Sequence, residues 1–481
     1  MQGKVMAGQR VRRLRRERGL TQARMAAQLG ISTSYLNLIE RSQRPVTVPF
    51  LLKLGQAFDI DLQRFAEDDE GRVTAQLREV FGDPLFARSR VGDQDIRDAA
   101  QASPGLGDAV ILLFRAYRDL LENTMNEAEG LGSAGADGTA AAPASSAPSA
   151  AIRSDEVQDF IQARSGYFPE LEDAADQLRA DESLDPDGLY EGLRAVLTHA
   201  HGLKVRVMPA DVMHDLVRRY DRHGRRVLLS DALAPEERVF QLAHQLGLLG
   251  WHELFDDIAD RSGLEGEARR LLAIELADYF AGACVMPYER FHAAAEALDY
   301  DTDLLGRRFG ASFEHVCQRL VALQRPGAKG VPFFLVHLDC AGNVLRRFDA
   351  GGFRFARFGG LCPRWGVHRA FGTAGETRLD IVEMPDGARF LTVARAVARP
   401  GAGHALPGQQ LVVAIGCQLS HANRLVYASG LDPERPGAVT PIGINCRLCE
   451  RSDCSARAFP PAGRRLIVDE NQQGLSPHFF A

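Results

Sequence analysis

Three cysteines near the end of the chain are spaced closely enough to act together on one metal. Cys446, Cys449 and Cys454 form a C-x2-C-x4-C run within the segment GINCRLCERSDCSARAFPP. Thiolates bind both zinc and iron–sulfur clusters, and three of them converge when a turn brings them together. Glycine, asparagine and proline around the run favour a loop over a helix. The spacing therefore predicts a zinc or iron–sulfur site in a loop.

Three cysteines leave a tetrahedral site one ligand short. The fourth could be Cys417, Cys362, a histidine such as His421, or a bound ligand. A redox-active dithiol and a set of unliganded structural cysteines stay open as interpretations, and arginines within the run favour the thiolate form. The remaining cysteines lie singly in apolar segments and are expected to be buried thiols: Cys284, Cys317 and Cys340.

A second group of residues resembles a zinc site that lacks one metal ligand and the general base. Two histidines four residues apart on one helix can hold zinc, with a glutamate beside the first as general base. Here His244 is followed by Gln245, which cannot accept a proton near neutral pH, and Leu248 stands where the second ligand would be. His252 could reach the site only by folding back. We expect a satisfied core histidine at 244 and no enzymatic activity.

The first 45 residues carry a charge that the rest of the chain lacks. They hold ten lysines and arginines against two acidic residues, a net charge of +8, whereas the whole chain has −6, which leaves about −14 for the remainder. A basic segment on an acidic protein indicates that one end binds a polyanion. With no apolar run of 18 residues and no signal-peptide pattern, we expect a cytoplasmic protein without a membrane span.

The basic segment has the sequence features of a helix-turn-helix. Thr21 is a good N-cap, and Gly30 can end a helix because glycine enters the left-handed region without steric cost. Ser32 or Ser34 caps the next helix, which would enter the major groove of DNA. The pattern predicts four helices, an arginine-rich one to about residue 20 and others over 21–29, from 32 or 34 to 41, and over 50–58.

Short polar residues dominate the predicted recognition helix. Asparagine can recognise adenine through two hydrogen bonds, and serine and threonine bind bases or phosphate. Glutamine and arginine can bind either phosphate groups or base edges. The candidate DNA-binding residues are Gln22, Ser32, Thr33, Ser34, Tyr35, Asn37, Arg41 and Arg44.

The rest of the chain divides by composition and periodicity. Strands are predicted at 203–209 and 225–230 with a turn between them, followed by helices over 235–249 and 265–285, and a strand-rich region begins near residue 330. The fold class is multidomain, with an all-α head, an α+β middle domain and a strand-rich α+β C-terminal domain. The expected regions are 1–66 (helix-turn-helix), 67–129 (helical connector), 130–152 (Ala/Ser/Gly/Pro linker), 153–328 (middle domain) and 329–481 (ligand-sensing domain).

The three parts resemble known families. The segment TQARMAAQLGISTSYLNLIERSQRPVT is similar to the XRE-type helix-turn-helix, and the region from APEERVFQLAHQLG to ACVMPYERF resembles an ImmA/IrrE-type peptidase domain without its motif. C-terminal segments such as GGLCPRWGVHRAF and TPIGINCRLCERSDCSARAFPP resemble the short-chain fatty acyl-CoA regulators. PRWGV stands where a Leu and an Asn are expected, and the linker is unusually long.

This resemblance carries expectations about function. It implies a transcription factor for acetate, propionate, glyoxylate or methylcitrate metabolism that binds operator DNA as a homodimer or higher homo-oligomer. It also implies an acyl-CoA effector and associates an iron–sulfur cluster with the cysteine loop. Two other readings remain: a redox or iron–sulfur-sensing transcription factor, and a zinc metallopeptidase with a DNA-binding head, against which Gln245 and Leu248 argue.

Overall fold

The computed structural model describes most of the chain in two compact units. One comprises Met1–Ala75 with Gln94–Gly107, and the other comprises Gln76–Asp93 with Asp108–Ala481. Residues 130–149 of the predicted linker and most of the predicted first helix lie outside the described residues, whereas 150–152 begin a helix. The described residues are 11, 15, 18, 20–40, 44, 48–58, 69–86, 91–102, 105–114, 117–118, 150–186, 188–356, 360–399, 401, 408–461, 466–468, 471, 474–475 and 479–480.

The N-terminal unit has the predicted helix-turn-helix. Its described helices are α1 (Gln22–Leu29), α2 (Thr33–Glu40) and α3 (Val48–Phe58). The Thr21 hydroxyl accepts a hydrogen bond from the Arg24 N–H and caps α1, and Gly30 ends α1 at a φ of 62°. Ser32 caps α2 by accepting from the Tyr35 N–H at 3.1 Å. The helices close over one core that contains Met25, Leu29, Leu36, Ile39, Phe50 and Leu54.

The next segment contains three described helices, as the periodicity predicts. They are α4 (Asp69–Phe81), α5 (Asp93–Ala102) and α6 (Gly105–Phe114). Leu106, Leu112 and Leu113 are exposed on α6. An amphipathic helix with large exposed leucines has an apolar face that its own chain leaves uncovered in the described residues.

Helices form most of the middle region. They are α7 (Ala150–Ala163), α8 (Pro169–Asp181), α9 (Leu189–His199), α10 (Ala210–Met213), α11 (Pro235–Gly250), α12 (His252–Ser262), α13 (Gly266–Val285), α14 (Tyr288–Ala297), α15 (Thr302–Phe309) and α16 (Phe313–Val321). Pro235 stands in the first turn of α11, where its missing N–H is tolerated. Met286-Pro287 follows α13, because proline cannot continue a helix.

A three-stranded sheet accompanies these helices. Strands β1 (Lys204–Met208), β2 (Arg218–Asp221) and β3 (Arg226–Ser230) have the order β1-β3-β2, with β1 parallel and β2 antiparallel to β3. The expectation of a turn between two strands is wrong for 218–221, which pairs with β3. The segment RRYD lacks the alternation of apolar and polar residues that indicates a strand, so the sequence pattern did not predict β2.

The C-terminal region is built on a six-stranded sheet. Its strands are β4 (Phe334–Asp339), β5 (Val344–Phe348), β6 (Arg378–Glu383), β7 (Arg389–Arg399), β8 (Gln409–Gln418) and β9 (Val439–Pro441), in the order β5-β4-β8-β7-β6-β9. All neighbours are antiparallel except β6 and β9. Two short strands near the end, β10 (Leu466–Ile467) and β11 (Phe479–Phe480), pair separately.

The two faces of this sheet bury different cores because successive side chains of a strand point to opposite sides. One face, including Leu391 and Ile415, packs on the middle-region helices and shares a single core with them. The other face, including Phe334 and Val412, is covered by the segment that contains Trp365 and by Ile442. The middle and C-terminal regions are therefore continuous across the helix-facing side of the sheet.

No single described helix is long and apolar enough to cross a lipid bilayer. Helices α13 and α14, which are bent by 67° to each other, reach the required length and apolar composition only when they are taken together.

Candidate functional sites

The N-terminal face of α2 is polar and exposed, as expected for a recognition helix. Ser32, Thr33 and Ser34 are exposed and Asn37 is half-buried. Tyr35 is also half-buried, because its ring packs edge-on against Phe50 at 6.5 Å between ring centres. Arg44 is exposed and places its guanidinium 5.7 Å from the Tyr35 ring centre. Arg41 lies outside the described residues.

Gln22 has a structural partner that sequence reasoning missed. Its side-chain amide donates to Glu40 Oε2 at 2.7 Å. The Arg15 guanidinium binds both oxygens of the same carboxylate, at 2.6 and 3.0 Å. Glu40 is buried, so the two donors compensate its desolvation. Gln22 therefore helps to hold α1 and α2 together.

His244 is buried on α11, and its ring contacts two charged side chains. Nδ1 lies 2.6 Å from Nη1 of Arg218 on β2, and Nε2 lies 3.4 Å from Oδ1 of Asp278 on α13. Arginine only donates, so Nδ1 accepts and the ring is neutral. Burial, followed by the Arg218 cation, lowers the pKa of His244 to about 3. The expectation of a satisfied core histidine agrees with this geometry.

The other positions of the degenerate motif serve packing. Gln245 is buried and Leu248 packs against the helical core. Gly247 lets α11 approach α13, since an added Cβ would lie 2.9 Å from the Phe280 ring. His252 is exposed at the start of α12, with Nδ1 3.3 Å from the Leu249 carbonyl oxygen.

A cavity of about 100 Å³ lies between the helices and the sheet of the second unit. Residues of α7, α11, α13, α16, β4 and β5 line it, together with the segment between α7 and α8, and its wall is mostly apolar, with Phe168, Phe240, Leu276 and Phe348 among the contributors. Six separate helices and strands supply these residues, so no contiguous sequence motif could have indicated it.

Polar groups stand at fixed positions around this cavity. Arg346 pairs with Glu275, and burial raises the pKa of Asp278 to about 7. Arg319 is fully buried and binds both oxygens of Glu172 at 2.6 and 2.8 Å. Arg319 Nε also donates to the Met286 carbonyl oxygen at 2.8 Å, so all three nitrogens of its guanidinium have a hydrogen-bond partner.

The cysteine loop lies beside the second face of the sheet. Cys449 is buried, whereas Cys446 and Cys454 are partly exposed. An added Cβ at Gly443 would lie 2.7 Å from the Cys449 sulfur, so the glycine is needed for this close approach. Burial raises the pKa of Cys362, and its neighbours Cys446 and Cys449 raise it further. These three cysteines lie in one region of the fold, but among the described residues no three metal-binding side chains stand close enough to hold a metal ion.

Two arginines hold the loop through its backbone. Arg457 is buried and donates to the carbonyl oxygens of Cys446 at 2.8 Å, Cys449 at 2.9 Å and Arg451 at 2.7 Å. Arg451 in turn donates to the carbonyls of Ile442 and of residues 383 and 384. These guanidinium groups bind carbonyl oxygens, and Arg447 lies over the Phe459 ring.

Cys417 does not join the loop. It lies on β8 in the core shared with the helices, whereas Cys362 and Cys449 lie on the other side of the sheet. Strand alternation separates the two sides, so Cys417, one of the candidates for the fourth ligand, lies apart from the loop in this structure. Cys284 and Cys317 are buried as expected, but Cys340 is exposed in the turn after β4.

Each of the three parts of the chain matches a known domain family. Residues 7–67 match a helix-turn-helix domain model, residues 198–321 match the IrrE N-terminal-like domain, and residues 322–478 match the C-terminal domain of the short-chain fatty acyl coenzyme A regulators.

Whole-length relatives have the same organisation. The chain is 39% identical to the HTH-type transcriptional regulator PrpR of Mycobacterium tuberculosis, over 99% of this chain and 96% of that one. It is 38% identical to RamB of the same organism, over 99% and 98%. The propionyl-CoA carboxylase regulator of Cereibacter sphaeroides is also 38% identical, over 99% of both chains.

A solved structure extends the likeness to the fold. A Mycobacterium tuberculosis transcriptional regulator superposes with a TM-score of 0.64 at 40% identity, over 68% of this chain and 99% of the other. With relatives of this identity over nearly the whole length, the chain belongs to the short-chain fatty acyl-CoA regulator family of helix-turn-helix transcriptional regulators.

Proposed function

We propose that this protein binds operator DNA through α2 and controls genes of short-chain fatty acid metabolism in response to an acyl-CoA. The observation that carries the proposal is the exposed polar start of α2, in a chain whose C-terminal region matches the acyl-CoA regulators. Ser32, Thr33 and Ser34 are free to reach the major groove, and Asn37 lies one turn further along the helix.

The cavity of the second unit is the best place for the acyl group. An apolar cavity of about 150 Å³ admits benzene, so a cavity of about 100 Å³ suits a smaller group of the size of a short acyl chain. Its apolar wall would bury the acyl chain, and two arginines of β5 also line it, Arg346 paired with Glu275 and Arg347 3.5 Å from Asp155. The bulk of coenzyme A would remain outside.

The cysteine loop is proposed to take up a metal ion or an iron–sulfur cluster. The thiol chemistry of the C-x2-C-x4-C run is what supports this proposal. In the part of the chain that the structure describes, no three metal-binding side chains stand at distances that would hold a metal ion. Uptake would therefore require Cys446, Cys449 and Cys454 to close together, and metal content after anaerobic purification tests it. Metal-free protein with a reversible disulfide would favour the redox-sensing alternative.

Helix α6 is proposed to form the homodimer contact. Leu113 is 73% exposed and Leu106 64% exposed, and helix-turn-helix proteins that read two half-sites do so as symmetric dimers. Analytical ultracentrifugation of Leu113→Glu should show dissociation to monomers. Leu475→Glu, at a leucine that is still more exposed, is the control and should leave the dimer intact.

The middle region is proposed to be a scaffold without peptidase activity. A general base is missing at Gln245, a second ligand is missing at Leu248, and Arg218 places a cation against His244. We therefore assign the protein no enzymatic reaction.

The decisive experiment is DNA binding by the full chain to its own upstream region, with coenzyme A and with acetyl-, propionyl-, butyryl- and octanoyl-CoA. Short acyl-CoAs should change operator affinity severalfold, and coenzyme A alone and octanoyl-CoA should not. A protein that binds the operator identically in every case would overturn the acyl-CoA assignment. Absence of sequence-specific binding would overturn the transcriptional role itself.

A further inference from the structure

Gly282 lies in the last turns of α13, where a glycine is unexpected. Within a helix, glycine is less stable than alanine because it loses more backbone entropy. Gly247 on α11 has a packing reason, the close Phe280 ring. Gly282 has no such packing reason. Apart from its own helix backbone and chain neighbours, no heavy atom of the described residues lies within 4 Å of a Cβ added there. Its absent side chain leaves open space.

That space belongs to the cavity. Gly282 lines it together with Glu275, Asp278 and Tyr279, which are seven, four and three residues earlier on the same helix. Residues at these spacings share one face of an α-helix. Helical side chains lean toward the N-terminus, so a side chain at 282 would lie over the turn of Asp278 and Tyr279. Any such side chain would take up volume beside the cavity wall.

We propose that Gly282 determines how large an acyl group the cavity accepts. This inference rests on the proposed acyl-CoA response and names the residue that sets its chain-length preference. Each buried methylene changes affinity by roughly fourfold. Added methyl groups at 282 should therefore penalise longer acyl chains more than shorter ones, and leave coenzyme A, which has no acyl group, unaffected.

Two substitutions of Gly282 reduce the cavity volume stepwise and should not destabilise the fold. Gly282→Ala adds one methyl group and Gly282→Val adds three carbons, and both residues have higher helix propensity than glycine. Thermal unfolding of both variants should match or exceed that of the parent protein. Gly188→Ala is the matched control, because Gly188 precedes α9, also has open space around an added Cβ, and does not line the cavity.

Isothermal titration calorimetry of the full chain with coenzyme A and with acetyl-, propionyl- and butyryl-CoA tests the proposal. The preference for propionyl- or butyryl-CoA over acetyl-CoA should fall about fourfold in Gly282→Ala and at least tenfold in Gly282→Val, with Gly188→Ala unchanged. Wild-type ratios in Gly282→Val would overturn it, as would an equal loss for all ligands including coenzyme A. A parent protein that binds no acyl-CoA would overturn the effector assignment, and this inference with it.

Discussion

The guanidinium of Arg218 donates a hydrogen bond of 2.6 Å to Nδ1 of His244. The first histidine of the degenerate motif therefore has one ring nitrogen occupied by a cation, and Nε2 faces Asp278. A metal ion would have to displace or repel the Arg218 charge, which is itself largely buried. The strand β2 that supplies Arg218 thus makes His244 part of a packed polar cluster.

The first prediction is that zinc neither stabilises nor activates this region. Added zinc or a chelator should shift the Tm of metal-free His244→Ala protein by the same amount as that of the parent, because only metal bound at the cysteine loop would raise either Tm by mass action. No cleavage of the protein or of generic substrates should occur. A zinc-dependent cleavage that disappears in His244→Ala would contradict this prediction.

The long elements were predictable from local pattern alone. The helix expected over 235–249 spans Pro235–Gly250, and that expected over 265–285 spans Gly266–Val285. Periodicity, first-turn proline and the stop at Met286-Pro287 are all local signals. The strand-rich region expected after residue 330 also forms, as a six-stranded sheet whose strands β4 and β8 are long apolar runs that are mostly buried.

Contacts between distant residues were not predictable. Arg218 looks like part of a solvated turn, yet its partner His244 is 26 residues away. Gln22 suits DNA, but its amide binds Glu40. Cys417 and Cys446 both belong to the C-terminal region, but strand alternation directs Cys417 into the core on the helix-facing side of the sheet. In each case tertiary packing decides which of several chemically reasonable partners a side chain meets.

The second prediction concerns pH and Asp278. Burial raises its pKa to about 7 in the folded protein, from 3.8 in the unfolded chain. Between pH 4 and 7 the folded state therefore binds the additional proton, and the stability linked to Asp278 is lost as pH rises through this window. Asp278→Asn removes the titration and keeps an oxygen facing His244. Its free energy of unfolding, relative to the parent, should increase by roughly 1–3 kcal/mol between pH 4.5 and 8.

Urea unfolding at several pH values measures this difference. His244 acts in the opposite direction, since its lowered pKa removes stability as pH falls below about 6.5, but it is present in both proteins. Asp173→Asn, at an exposed position on α8, is the control. A difference between Asp278→Asn and the parent that stays flat with pH would show that Asp278 is ionised throughout.

The third prediction distinguishes a residue that contacts DNA bases from a residue that stabilises the helix-turn-helix. Asn37→Ala should weaken operator binding by roughly 1–3 kcal/mol and leave binding to random DNA nearly unchanged, if Asn37 reads a base. Gln22→Ala should instead weaken both alike, by about 1 kcal/mol, because it removes a partner of the buried Glu40. Fluorescence anisotropy with operator and scrambled duplexes at two salt concentrations measures both. An equal loss on both duplexes for Asn37→Ala would make that residue structural.

The fourth prediction concerns the cysteine loop. Arg457 donates to the carbonyl oxygens of Cys446, Cys449 and Arg451 from a buried position. Arg457→Met keeps much of the apolar volume but leaves three carbonyl groups without these donors, at about 1–3 kcal/mol for each one that stays buried. The loop should loosen locally, since the core on the sheet face contributes independently. We expect faster reaction of the loop thiols with a disulfide reagent in metal-free protein.

Metal content links this loosening to function. If the loop binds a metal or cluster, coordination is part of its folding free energy, so a looser loop binds it more weakly. Arg457→Met and Cys449→Ser should both show lower iron or zinc content after anaerobic purification and a weaker acyl-CoA effect on operator binding. Arg447→Met, in the same loop but exposed and stacked on Phe459, should behave like the parent. If Arg457→Met keeps parental thiol reactivity and metal content, the carbonyl contacts do not shape the loop, and the close approach at Gly443 must hold Cys449 without them.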